Sequence, residues 1–252
     1  MTIMARIYRT YEGALTLFDT PDGFEPKPEW FEGAYRGLRK IILGTSPLFP
    51  CYFASIAERH GSCTYSFLKR GEELDPNVLY KIIEDFLLVA KDLRPFPVLA
   101  LFVQTEGITK SLEEDEILFW EIINNINKTR TDSRSAAEAN PSSPHWLLKY
   151  KDIPIFVTGH SPYYKNRLSR FADQCLTLVI QEKKNLKRIS EDPNRIREVM
   201  GQIREFVDEY DTIPRCPLLG FYGNENVFDW KQFWLPDSND IEDTPCRVRP
   251  RE

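Results

Sequence analysis

The uninterrupted apolar run Val98-Leu-Ala-Leu-Phe-Val103 constrains this chain more than any other segment. It falls far short of the roughly 20 residues that cross a bilayer, and no polar residue alternates through it. It therefore reads as a strand covered on both faces, near the centre of a sheet with helices packed on it. The flanking segments supply those helices. Pro28, a favoured first-turn residue, precedes Trp30, Phe31, Ala34, Leu38, Ile41 and Ile42 at helical spacing, and Gly44 ends the run. Asp75-Pro76 is a cap followed by a first-turn proline, ahead of Leu79, Ile82, Ile83, Phe86, Leu87 and Ala90. Ser111-Leu-Glu-Glu114 is a capping-box pattern before Ile117, Leu118, Trp120, Ile122 and Ile126. Asp192-Pro193 opens a fourth helix through Ile196, Met200, Ile203, Phe206 and Val207.

Further strands are expected at Cys63–Phe67 and Cys175–Ile180. A hairpin is expected from Trp146–Tyr150 and Ile153–Thr158, split by Lys151-Asp152. The opening before Pro28 reads as irregular and rich in Gly and Pro, and Lys128–Pro144 reads as a long polar loop. Helices interleaved with isolated strands and then a hairpin define an α+β fold: one domain over 1–237, a mixed sheet with helices packed on it. Residues 238–252, mixing Pro, Asp and Arg, read as a mobile tail.

Composition narrows the function by exclusion. The chain has 252 residues and a net charge of −5, without the basic footprint of a nucleic-acid binder. Its first twenty residues contain no apolar segment of the signal-peptide kind, so a cytoplasmic chain that neither crosses nor binds a membrane is expected. Five scattered cysteines with no C-x-x-C pair give neither a disulfide framework nor a zinc ribbon. No P-loop, no G-x-G-x-x-G after a strand, no H-E-x-x-H and no G-x-S-x-G is present. Only His60, His145 and His160 could serve chemistry that needs imidazole.

Several constellations remain. His60-Gly61 ends a short helical stretch after Phe49-Pro50-Cys51; it is either a metal or haem ligand or a surface histidine at the negative end of a helix dipole. Phe156-Val-Thr-Gly-His160 runs from a strand into Lys165, Arg167 and Arg170. Guanidinium forks suit carboxylates, and the competing reading is a solvated basic loop. Glu121, beside Phe119-Trp120, either binds a cationic amine or guanidine or lies on the solvent face. His145 reads as structural. Phe221-Tyr-Gly223 and Asp229-Trp-Lys-Gln-Phe-Trp234-Leu-Pro-Asp237 are either core or the walls of a site for a flat ligand.

These segments occur in a particular order: Phe49-Pro-Cys51, Phe119-Trp120, Phe156-Val157, Arg167-x-Ser169-Arg170, Ile203-Arg204 with Tyr210-Asp211, and Trp230-Lys-Gln-Phe233-x-Leu-Pro-Asp237. The order resembles the YqcI/YcgG family, whose characterised members are haem-dependent N-oxygenases acting on arginine-like guanidines or the lysine amine. The resemblance covers about Trp30 to Asp237. It implies haem b with an axial histidine shortly after the Pro-Cys box, which is His60 here, with His160 in reserve; histidine ligation argues against a Cys51 thiolate. Tyr163-Tyr164 separate His160 from the arginine box, a departure from the family's pattern. Arg167 or Arg170 is expected to clamp a substrate carboxylate or the haem propionates, and Glu121 to orient the cationic nitrogen. The implied reaction is N-hydroxylation of a small-molecule amine or guanidine in a biosynthetic pathway, using O2 with an external electron donor, or peroxide. The rival readings are a haem-binding sensor or carrier without turnover, and a haem-free small-molecule-binding domain. A homodimer is one assembly that a chain of this size and aromatic content can form.

Overall fold

The computed structural model describes residues 6–17, 27–72, 75–129, 140–188, 192–220, 227–241 and 246–249. It is an α+β domain built on one mixed seven-stranded sheet. The strands are β1 (Tyr8–Tyr11), β2 (Ala14–Leu17), β3 (Cys63–Leu68), β4 (Val98–Val103), β5 (Lys149–Tyr150), β6 (Ile153–His160) and β7 (Thr177–Glu182). Their order across the sheet is β2-β1-β3-β4-β7-β6-β5. Among the paired strands, β3 and β4 run parallel, which requires the crossover that α3 provides; the other pairings are antiparallel. Among the described residues, five α-helices accompany the sheet: α1 (Glu29–Ile42), α2 (Tyr52–Arg59), α3 (Pro76–Val89), α4 (Leu112–Lys128) and α5 (Pro193–Tyr210).

The continuous apolar run takes the central position that its composition demands. Successive side chains of β4 point to opposite faces. Leu99, Leu101 and Val103 join Leu178, Ile180, Ile155 and Val157 in the larger core, beneath α3 and α4. Ala100 and Phe102 join Tyr65, Phe67, Phe31, Tyr35 and Leu38 in a second core on the α1 side. Both faces of β4 are therefore dry, and a polar residue anywhere from 99 to 103 would be buried.

The helix starts follow their caps. The Asp75 carboxylate accepts from Asn77 N (2.9 Å), and Asp192 accepts from Asn194 N (2.9 Å), each ahead of its first-turn proline. Ser111 Oγ accepts from Glu114 N (3.2 Å), while the Glu114 carboxylate reaches back to Lys110 N (2.7 Å) rather than to the cap residue itself.

The structure differs from the sequence expectations at four places. Residues 8–17, expected to be irregular, form the β1–β2 hairpin, turning on Glu12 (φ 49°) and Gly13 (φ 80°); its polar Arg9, Thr10 and Thr16 hide the alternation. Strand β6 runs two residues beyond Thr158, so His160 lies on the strand rather than in the loop after it. Of Trp146–Tyr150, only Lys149 and Tyr150 pair in the sheet. Residues 246–249 place Val248 in the larger core, with Asn124 gripping Arg247 O (3.3 Å) and Arg249 N (2.8 Å). Residues 130–139 and 221–226, which contain most of the polar loop and Phe221-Tyr-Gly223, lie outside the described residues. Among the described residues, no helix is long and apolar enough to cross a membrane.

Candidate functional site

The motif segments that are scattered along the chain meet at the end of β6. Arg167 is completely buried. Its Nε donates to Pro236 O (2.8 Å) and its Nη2 to Asn239 Oδ1 (3.0 Å) and Ser238 O (3.3 Å), while Nη1 faces Asp211 Oδ2 at 3.7 Å. Asp211 caps the end of α5 and also accepts from Ser169 N (2.7 Å) and Ser169 Oγ (3.0 Å). Burial pushes its carboxyl above the usual range, against the pull of Ser169 and Arg167. Arg170 donates to Gln232 O (3.0 Å) and Phe233 O (3.4 Å). Asp237 closes the ring by accepting from the main-chain N–H groups of Lys165 (3.0 Å), Asn166 (3.0 Å) and Arg167 (2.7 Å). The Tyr164 hydroxyl adds a bond to Leu235 O (2.5 Å). These buried charges are offset by hydrogen bonds at Arg167 Nε and Nη2 and at Arg170, while Arg167 Nη1 has no hydrogen bond among the described residues and meets only the Asp211 charge at 3.7 Å.

This clamp fixes the segment 229–239 against α4. Gly159 makes the approach possible: its N–H donates to Phe233 O (2.8 Å), and a Cβ there would overlap the Trp234 ring and lie 2.9 Å from Phe119. The clamped segment and α4 border a solvent-open cavity of about 450 Å³. Trp120, Trp230 and Trp234 form aromatic walls, with Glu116, Asp240, Lys231 and Arg247 among the charged residues that line it. Glu116 Oε1 accepts from Trp120 Nε1 (3.2 Å) and faces the Arg247 guanidinium at 3.5 Å. The Lys231 ammonium lies over the rings of Phe228 (5.3 Å) and Trp230 (5.6 Å). The Trp230 indole nitrogen is buried and has no acceptor among the described residues. Acid and aromatic faces that already hold two cations make a site suited to a planar or alkyl cation.

The expected site residues fall in different places. Arg167 and Arg170 are used on main-chain carbonyls of the chain's own C-terminal segment, so here they position the cavity wall. Glu121 is half-buried on α4 and does not line the cavity; an advance of one residue along a helix turns it about 100° away from Trp120. Glu116, four residues before Trp120, is the α4 carboxylate that lines the cavity. The signal for it was present in the i, i+4 spacing of Glu116 with Trp120 and of Trp230 with Trp234.

His60 is exposed as the C-cap of α2. His160 is buried beside Arg170, and its Nε2 lies 3.0 Å from Thr158 Oγ1. Burial first, and then the Arg170 charge, press its pKa down to about 3, so the ring is neutral. Burial also raises the half-buried Cys51 thiol, away from the thiolate form that a metal needs. A second cavity of about 550 Å³, between β2 and α1, is lined by Tyr35, Arg36 and Arg39 among others. Neither cavity is lined by a histidine, and among the described residues no group of three or more His, Cys, Asp or Glu side chains could hold a metal ion. The donors present do not fit a haem seated in either cavity, because its iron would meet no imidazole.

Fold and site thus define a mixed-sheet α+β protein with an aromatic cavity of mixed charge bordered by an arginine-held C-terminal segment. The profile of the YqcI/YcgG family matches residues 38–247, and the chain belongs to that family. It is 23% identical over 216 residues to the "Putative N(omega)-hydroxy-L-arginine synthase DcsA" of Streptomyces lavendulae, covering 83% of this chain and 80% of the relative. It is 24% identical over 229 residues to the "Uncharacterized protein YqcI" of Bacillus subtilis (strain 168), covering 88% and 89%. With "Uncharacterized protein YcgG" of the same organism it shares 24% over 225 residues, covering 84% and 86%. No solved structure matches the chain.

Proposed function

We propose that this chain is an N-hydroxylase acting on a guanidine or amine of an arginine- or lysine-like compound. The observation that carries the reading is the cavity at Glu116: two carboxylates and three indoles, with Glu116 and Trp120 on α4 and Trp230, Trp234 and Asp240 on the segment that packs against it. The similarity to a relative named as an N(omega)-hydroxy-L-arginine synthase supports the same substrate chemistry. The cavity's role is to bind the cation and fix the orientation of its nitrogen. Activating the oxidant is outside the reach of the residues lining it. The family resemblance is the support for haem b as the activating group, with O2 and an external reductant, or peroxide.

The placement of the histidines favours a second reading, a haem-free small-molecule-binding protein. An absorption spectrum of the chain purified from haem-replete cells separates the two. A Soret band that is lost in His160→Ala or in His60→Ala supports haem and assigns its ligand. A chain with no Soret band, which still binds arginine, supports the haem-free reading.

A further inference from the structure

We infer that the cavity between α4 and residues 230–241 is a guanidinium-binding site whose intramolecular occupant is Arg247, displaced when a free guanidinium ligand binds. The inference rests on the proposed function only for the chemical class of the ligand. Arg247 reaches the cavity from residues 246–249, and its guanidinium stands 3.5 Å from Glu116 Oε1, at the edge of the wall formed by Trp120. Its main chain is held independently, by Asn124 at Arg247 O and Arg249 N and by Val248 in the core. The side chain can therefore leave without unseating the segment. It is 42% exposed, whereas Glu116 is 25% exposed. An exposed ion pair of this kind contributes little, so an incoming cation meets a weak competitor.

The recognition follows from the geometry. Glu116 stays fixed because Trp120 Nε1 already donates to Oε1. A planar guanidinium arriving at the carboxylate can use the fork of donors that Arg247 presents now, with the indole faces of Trp120, Trp230 and Trp234 beside it. Lys231 over Trp230 shows that these faces accept positive charge. An uncharged urea of the same shape lacks both the charge for Glu116 and the cation–π attraction.

The test is calorimetry on the full chain with L-arginine, with L-citrulline as the uncharged isostere, while tryptophan emission reports whether the cavity is occupied. L-Arginine should bind and shift the emission, and L-citrulline should bind at least tenfold more weakly. Glu116→Gln, which retains an oxygen for Trp120 Nε1, should weaken arginine binding by roughly tenfold or more. Arg247→Gln should strengthen it about two- to fivefold, because an exposed competing pair is removed. Circular dichroism confirms that both variants are folded, and the opposite signs of their effects rule out general damage as the cause. Equal binding of citrulline, no binding of arginine, or variants that leave affinity unchanged would overturn the inference. Arginine that binds as described but is never oxygenated overturns the proposed function and leaves the site standing. Arginine that is oxygenated with unchanged KM by Glu116→Gln overturns the site and leaves the function standing.

Discussion

At the scale of single residues, burial decides what a titratable group can do. His160 is held neutral with a pKa of about 3, against an ordinary value of 6.5. The folded chain therefore binds fewer protons at this site than the unfolded chain does. The stability tied to His160 is complete above about pH 6.5 and is lost as pH falls toward 3, at no more than about 1.4 kcal/mol per pH unit. Denaturant titrations across that window should show the slope in the wild-type chain and its loss in His160→Gln; identical slopes would contradict the account. Two thiols follow the same logic, since burial raises Cys63 and Cys175 each to about 12. Iodoacetamide at neutral pH should leave both unmodified in the native chain and label both after unfolding. Gly159 is constrained by space instead. Gly159→Ala forces a methyl into the Trp234 ring, and a loss of about 1–3 kcal/mol in denaturant unfolding is expected.

At the scale of elements, the arginine box and the C-terminal segment act as one unit. Removing the Arg167 guanidinium strands Asp211 in a buried position and frees the carbonyls of Pro236 and Ser238. Arg167→Met should cost about 3–5 kcal/mol in chemical denaturation, and a change within a few tenths would refute the clamp. This is also where the sequence stops being legible. Caps and apolar periodicity located α1, α3, α4 and α5 and the central strand, because those signals are local and repeat along one element. The β1–β2 hairpin was missed because its polar strands carry little apolar alternation. The use of Arg167 and Arg170 is not legible either, since their hydrogen-bond acceptors lie more than 60 positions away and all but Asn239 Oδ1 are main-chain oxygens, which no side-chain pattern announces. Glu121 has aromatic neighbours in sequence, whereas helical geometry places Glu116 against Trp120 in space.

At the scale of the whole molecule, the sheet is a scaffold that brings distant segments to one end. The Arg167–Arg170 turn after β6 meets the C-terminal end of α5 at Asp211. The segment 229–239 is drawn between that clamp and α4, and the cavity exists because of this closure. The order of the motif segments along the chain is readable and points to the family; their convergence on one aromatic cavity needs the fold. The claim that joins these levels is that Glu116 holds a guanidinium for oxidation at nitrogen. Mass spectrometry of L-arginine incubated with the chain, first with O2 and a reductant and then with peroxide, tests it most directly. The account predicts a product carrying one added oxygen on a guanidine nitrogen, formed by the wild-type chain and sharply reduced in Glu116→Gln. No oxygenated product from the wild-type chain under either condition, or equal product from both chains, would contradict it.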